Sequence, residues 1–94
     1  MGKAEYKVTG GKLIKVQLIA EGNIIEKIKV TGDFFLHPEE FIEEIEKALK
    51  GCMLDEQELA ALIKGLMEKK DVTLLGATPE DFAKCIMMAG EKNG

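Results

Sequence analysis

Large rings, prolines, thiols and imidazoles are scarce in this chain of 94 residues, which has no Trp, one Tyr, two Pro, two Cys and one His. A zinc site needs three or four converging Cys, His or carboxylate ligands, so a single His and two distant Cys predict no metal centre. Cys52 and Cys85 do not form a Cys-x-x-Cys pair, and free thiols are expected in a reducing compartment. Long apolar runs are also missing. Stretches such as Ile86-Met87-Met88-Ala89 are too short to cross a bilayer, and residues 1–5 lack the apolar core of a signal peptide. The expectation is a cytoplasmic protein without a membrane partner. Thirteen basic against seventeen acidic residues leave a net charge of -4, which argues against a sequence-blind grip on nucleic acid. There is no low-complexity segment and no repeat of fixed period.

What is present is an ordinary folding composition, 46% hydrophobic and 32% charged, so disorder is not expected. A chain this short buries only about 60–65% of its unfolded surface, which predicts a single domain over residues 1–94 with one small core. The whole is organised around Gly32-Asp33-Phe34-Phe35-Leu36-His37-Pro38. Three of these residues are large apolars where a polar turn would be expected, between a β-branched front half and a helical rear half. This stretch reads as a strand-to-helix hinge, with Phe34, Phe35 and Leu36 plugging the core, facing a partner, or divided between the two.

In the front half, Tyr6 and Val8 alternate with polar neighbours in a short strand over 5–9, ended by Gly10-Gly11. Residues 12–20 alternate better, with Ile14, Val16, Leu18 and Ala20 on one face and Lys15 and Gln17 on the other. Glu21-Gly22-Asn23 is a hairpin turn, and residues 24–31 return with Ile28 and Val30 inward and Lys27, Lys29 and Thr31 outward. Behind the hinge, Phe41, Ile42, Ile45, Ala48 and Leu49 recur at helical spacing, predicting a helix over 38–50 opened by Pro38. Asp55 caps a second helix with the stripe Leu59, Leu62, Ile63, Leu66 and Met67, ending near Lys69; Gly65 in it is either a close backbone approach or a tolerated defect. Residues 71–76 are either an extra strand or a connector carrying Leu74 and Leu75 into the core. Thr78-Pro79-Glu80-Asp81 then opens a third helix ending near Gly90, followed by a frayed tail over 91–94. The order predicts an α+β fold: a small antiparallel sheet, hairpin or three-stranded meander, with about three helices on one face.

No catalytic constellation emerges. Gly11-Lys12 resembles the end of a phosphate loop, but Leu13 follows it and Tyr6 stands where the first glycine belongs. A thiolate pair of His37 with either cysteine is opposed by Cys85 lying on the third helix's apolar stripe, where it packs as a small hydrophobe, while Cys52 follows the helix stop, open to exposure, and is read as an unreactive thiol. His37 is read as bordering a helix start. The acids Glu39, Glu40, Glu43, Glu44 and Glu46 are spread round a solvated helix rather than paired. A binding or accessory role is what remains.

Gly11-Lys12-Leu13-Ile14-Lys15-Val16, Glu21-Gly22-Asn23-Ile24-Ile25 and Gly32-Asp33-Phe34-Phe35-Leu36-His37-Pro38-Glu39-Glu40 together resemble the accessory C-terminal domain of lipoate–protein ligases, in its separate small-subunit form. The resemblance is strong over residues 3–51 and holds in outline beyond them. It implies a non-catalytic subunit, needed with a large catalytic subunit for ATP-dependent activation of lipoate to lipoyl-adenylate before transfer to a lysine of an acceptor domain. On that resemblance lipoate, ATP and Mg sit on the catalytic subunit and no cofactor sits on this chain. Asp33, Phe34, Phe35, Leu36 and His37 become the candidate partner-binding residues. The opening hairpin also looks like that of NifU-type iron–sulfur scaffolds, which need thiolates near the strand ends. Phe34 and Phe35 occupy the region where such a cysteine would be sought. A module for an unrelated partner is the third alternative.

Overall fold

Alternation of apolar and polar residues makes Leu13–Glu21 (β2) the middle strand of a three-stranded antiparallel sheet, flanked by Gly2–Lys7 (β1) and Ile24–Gly32 (β3). The structure is a computed structural model in which residues 1–92 are described. β1 starts and ends earlier than the expected 5–9, because Gly2 to Lys7 pair in register with Leu18 to Leu13 and leave Val8 to Lys12 for the turn. Cross-strand partners share a face. The inner rows are Tyr6 with Ile14 and Gly32, Ala4 with Val16 and Val30, and Gly2 with Leu18 and Ile28. Between Ile19 and Ala20 the register shifts, leaving Glu26 as the extra residue of a bulge. One extra residue reverses the alternation, so Ile25 is buried on the same side as Val30 although the two positions differ in parity.

Phe41–Leu49 (α1) buries Phe41, Ile45 and Leu49. It begins later than the expected residue 38. His37, just before a proline, stays extended, and Phe41, Ile42 and Glu43 donate to the carbonyls of Pro38, Glu39 and Glu40 at 3.1, 3.2 and 3.0 Å, the spacing of successive tight turns rather than of an α-helix. Glu56–Lys70 (α2) starts where Asp55 accepts a bond from the Glu58 N–H at 3.1 Å, and stops at Asp71, in the left-handed region at φ 53°. A Cβ on Gly65 would meet nothing within 4 Å, which makes that glycine a tolerated defect and not a close approach. Pro79–Glu91 (α3) opens on a reciprocal capping box: the Asp81 N–H donates to Thr78 Oγ1 at 3.2 Å and the Thr78 N–H to Asp81 Oδ2 at 2.9 Å. Glu91, expected in the tail, is the last residue of this helix, while Asn93 and Gly94 lie outside the described residues.

α3 lies across β1 and β2, α1 lies against β3, and α2 joins the same core by packing on α3. The α+β class is the expected one, with the sheet as a three-stranded meander. α1 and the segment behind it also close the outer edge of β3. Glu46 accepts the Val30 N–H at 2.8 Å, Gly51 donates to the Ile25 carbonyl at 2.8 Å, and the Ile25 N–H donates to the Cys52 carbonyl at 2.9 Å. Among the described residues no helix is long and apolar enough to cross a membrane.

Candidate functional site

The hinge is itself a strand. Phe35–His37 (β4) pairs antiparallel with Thr73–Leu75 (β5), in the register Phe35 with Leu75, Leu36 with Leu74 and His37 with Thr73. This settles the open reading of residues 71–76 as a strand, and it explains the excess of apolar residues between β3 and α1.

Two features fix the ribbon to the main sheet. A Cβ at Gly32 would run into the Leu13 carbonyl oxygen and come within 2.7 Å of the Phe34 ring, so this position admits only glycine without a shift. Next to it, Asp33 makes a reciprocal clasp: its N–H donates to the Leu13 carbonyl at 3.1 Å and its Oδ1 accepts the Leu13 N–H at 2.6 Å. Both groups of Leu13 that β2 leaves over at its first residue are thereby satisfied.

From this anchor the side chains divide by the period of two. Leu36 is buried. Phe34, half-buried, sets its ring edge-on to Phe82 of α3 with centroids 4.9 Å apart and planes at 89°. Phe35 and His37 point to the other side, where their rings stack at 6.4 Å and 7° and His37 is exposed. Phe35 is 53% exposed and its cross-strand partner Leu75 59%, an unusual investment of large apolar side chains at the surface. Beside them a groove of about 290 Å³ runs between β3, β4 and α1, lined among others by Phe34, Phe35, Glu39 and Ile42. Of the five sequence candidates, then, Phe35 and His37 share an exposed face, Phe34 and Leu36 turn inward, and Asp33 is engaged in the clasp. The connector reading of residues 71–76 takes Leu75 into the core with Leu74. Leu75 does not go there, because adjacent residues in a strand face opposite ways, and the doublet Leu74-Leu75 carries that signal once a strand is assumed.

Among the described residues the two cysteines stand apart from each other. Cys85 lies fully buried under the sheet, its thiol 3.7 Å from the Ala4 carbonyl and 3.6 Å from that of Ile14. Burial first, and the Glu5 carboxylate second, push its pKa up to about 11, so it stays a thiol. Cys52 donates to the Ala48 carbonyl at the end of α1. The two cysteines are free and on separate elements, not the pair of strand-end thiolates that a cluster scaffold needs. Among the described residues no three His, Cys, Asp or Glu side chains converge as a metal site would require.

Three comparisons bear on this arrangement. Residues 3–86 match the family described as bacterial lipoate protein ligase C-terminus. A relative from Thermoplasma acidophilum, lipoate-protein ligase A subunit 2, is 34% identical over 74 residues, covering 79% of this chain and 76% of the relative. A chain from the structural analysis of an archaeal lipoylation system, a bi-partite lipoate protein ligase and its E2 lipoyl domain from the same organism, superposes with a TM-score of 0.77 at 31% identity, covering 89% of this chain and 91% of that one.

Proposed function

This chain belongs to the bacterial lipoate protein ligase C-terminus family, and from that membership we propose that it acts as the accessory subunit of a two-part lipoate–protein ligase. The observation that carries the reading is the Phe35–Leu75 pair: two large apolar side chains held out to solvent on a ribbon whose inner face, Leu36 and Leu74, packs against the fold. A chain that exposes such a pair is equipped to contribute by binding. The catalytic subunit holds lipoate, ATP and Mg, forms lipoyl-adenylate with release of pyrophosphate, and passes the lipoyl group to a lysine of the acceptor domain. The accessory subunit needs no reactive side chain for this. By docking, it favours the arrangement of the partner's loops that is competent for adenylation, and interactions gained only in that arrangement lower the barrier. Phe35 and Leu75 are the anchors, with the neighbouring groove taking a side chain of the catalytic subunit.

Mixing this chain with a lipoate ligase catalytic subunit that lacks its own accessory domain tests the reading. A complex and a gain in lipoate-dependent pyrophosphate release are expected, and F35A combined with L75D weakens the complex about thirtyfold or more. Neither complex nor gain would reject the reading and leave an unrelated partner as its replacement.

A further inference from the structure

The side of the three-stranded sheet turned away from the helices carries its own chemistry. Its cross-strand rows are Lys7 with Leu13, Glu5 with Lys15 and Thr31, Lys3 with Gln17 and Lys29, Ile19 with Lys27, and Glu21 with Ile24. Five lysines therefore share an open face with two acids, Glu5 and Glu21, and with Glu26 at the bulge, while the chain as a whole carries a net charge of -4. All five are exposed, so the negative balance lies elsewhere and the molecule is polarised.

The chemistry of the face narrows its occupant. The hollow described on this face, about 250 Å³ and lined by Met1, Gln17, Ile19, Lys27 and Lys29 among others, is mainly apolar and is a poor cradle for a small anion such as a nucleotide. All thirteen basic residues of the chain are lysines, which offer point charges without the bidentate fork that holds phosphates, and no aromatic ring stands on this face for a base to stack on. A protein surface rich in carboxylates fits better. The contrast with the Phe35–Leu75 ribbon separates two kinds of binding. A ribbon of exposed apolar groups suits a lasting interface, whereas a face on which lysines predominate favours fast, salt-sensitive encounters that end easily. A substrate domain that must arrive, be modified and leave at every turnover requires the second kind.

We propose that the lysine face of β1, β2 and β3 steers the lipoyl-acceptor domain, through an acidic surface on that domain, to the assembled ligase. This rests on the accessory-subunit reading. The test uses the reconstituted two-part ligase with an E2 lipoyl domain as acceptor, comparing the wild-type chain with K3E/K29E. Both positions lie opposite Gln17, so neither change removes a cross-strand ion pair. The expected result is a kcat/KM for the acceptor lowered about tenfold at low salt, converging on wild type as salt rises, with complex formation and lipoate-dependent pyrophosphate release unchanged. K3Q/K29Q should fall between the two. Unchanged acceptor kinetics overturn the proposal. A broken ligase complex overturns it as well and assigns the face to the catalytic subunit, and tight, salt-dependent duplex DNA binding that competes with the acceptor assigns it to nucleic acid. If the wild-type chain gives no gain in pyrophosphate release, the accessory reading is what fails. Chemical-shift titration of the isolated chain with the E2 lipoyl domain then decides the face alone: shifts centred on β1–β3 support it, and none overturn it.

Discussion

The main sheet and the two-stranded ribbon are both antiparallel, yet they are held in opposite ways. The sheet has nine-residue strands β2 and β3, an inner face that buries Ala4, Ile14, Val16, Leu18, Ile25 and Val30, and one edge closed by α1. Its stability is its own. The ribbon has three residues per strand, too few to persist alone, and it exists because Gly32, the Asp33–Leu13 clasp, Phe34 and Leu36 tie it down. An element stabilised from one side is free to present its other side, which is how the ribbon holds Phe35 and Leu75 out together as a cross-strand pair.

Substitutions should separate the two regions. The largest effect is expected in the sheet: I14A removes a fully buried side chain and should cost about 2–5 kcal/mol in denaturant unfolding, roughly 4–8 °C in Tm per kcal/mol. Next comes the junction. G32V forces a side chain against the Leu13 carbonyl and the Phe34 ring and should cost about 1–3 kcal/mol; a neutral result would mean that the ribbon is not anchored there. A third contrast is one of pH. Cys85 under the sheet has its folded pKa raised above the ordinary value, so its contribution to stability is complete below about pH 9.0 and is lost as the pH rises toward about 11. Unfolding curves should weaken across that window, and a thiol reagent should modify half-buried Cys52 in the native protein while Cys85 reacts only on unfolding. The smallest effect on stability belongs to the ribbon's outer face: F35A should change it by less than about 0.5 kcal/mol, even as it weakens the complex with the catalytic subunit.

The same contrast governs what could be read from the sequence. β2 was legible because Ile14, Val16 and Leu18 alternate with Lys15 and Gln17, and the starts of α2 and α3 were legible because Asp55 and Thr78 are local capping signals. β4 and β5 are too short to show a period, and their pairing joins Phe35 to a residue forty positions later in the chain. Nothing local announces the Glu46–Val30 bond or the bulge at Glu26 either, since both depend on which strand lies alongside. At the candidate site the hinge stood out by composition alone. Which of its residues faces outward required the ribbon's register, and Leu75 came into view only with it.

The closure of β3 by Glu46 has a consequence for the subunit before it meets any partner. With that edge occupied, β1 is the strand of the main sheet whose backbone remains available to template another chain. β1 carries Lys3, Glu5 and Lys7 on one face, so two copies paired edge to edge about Glu5 would set Lys3 against Lys7 and Glu5 against Glu5, like against like. A small protein that waits alone for its partner is thus guarded against aggregating with itself.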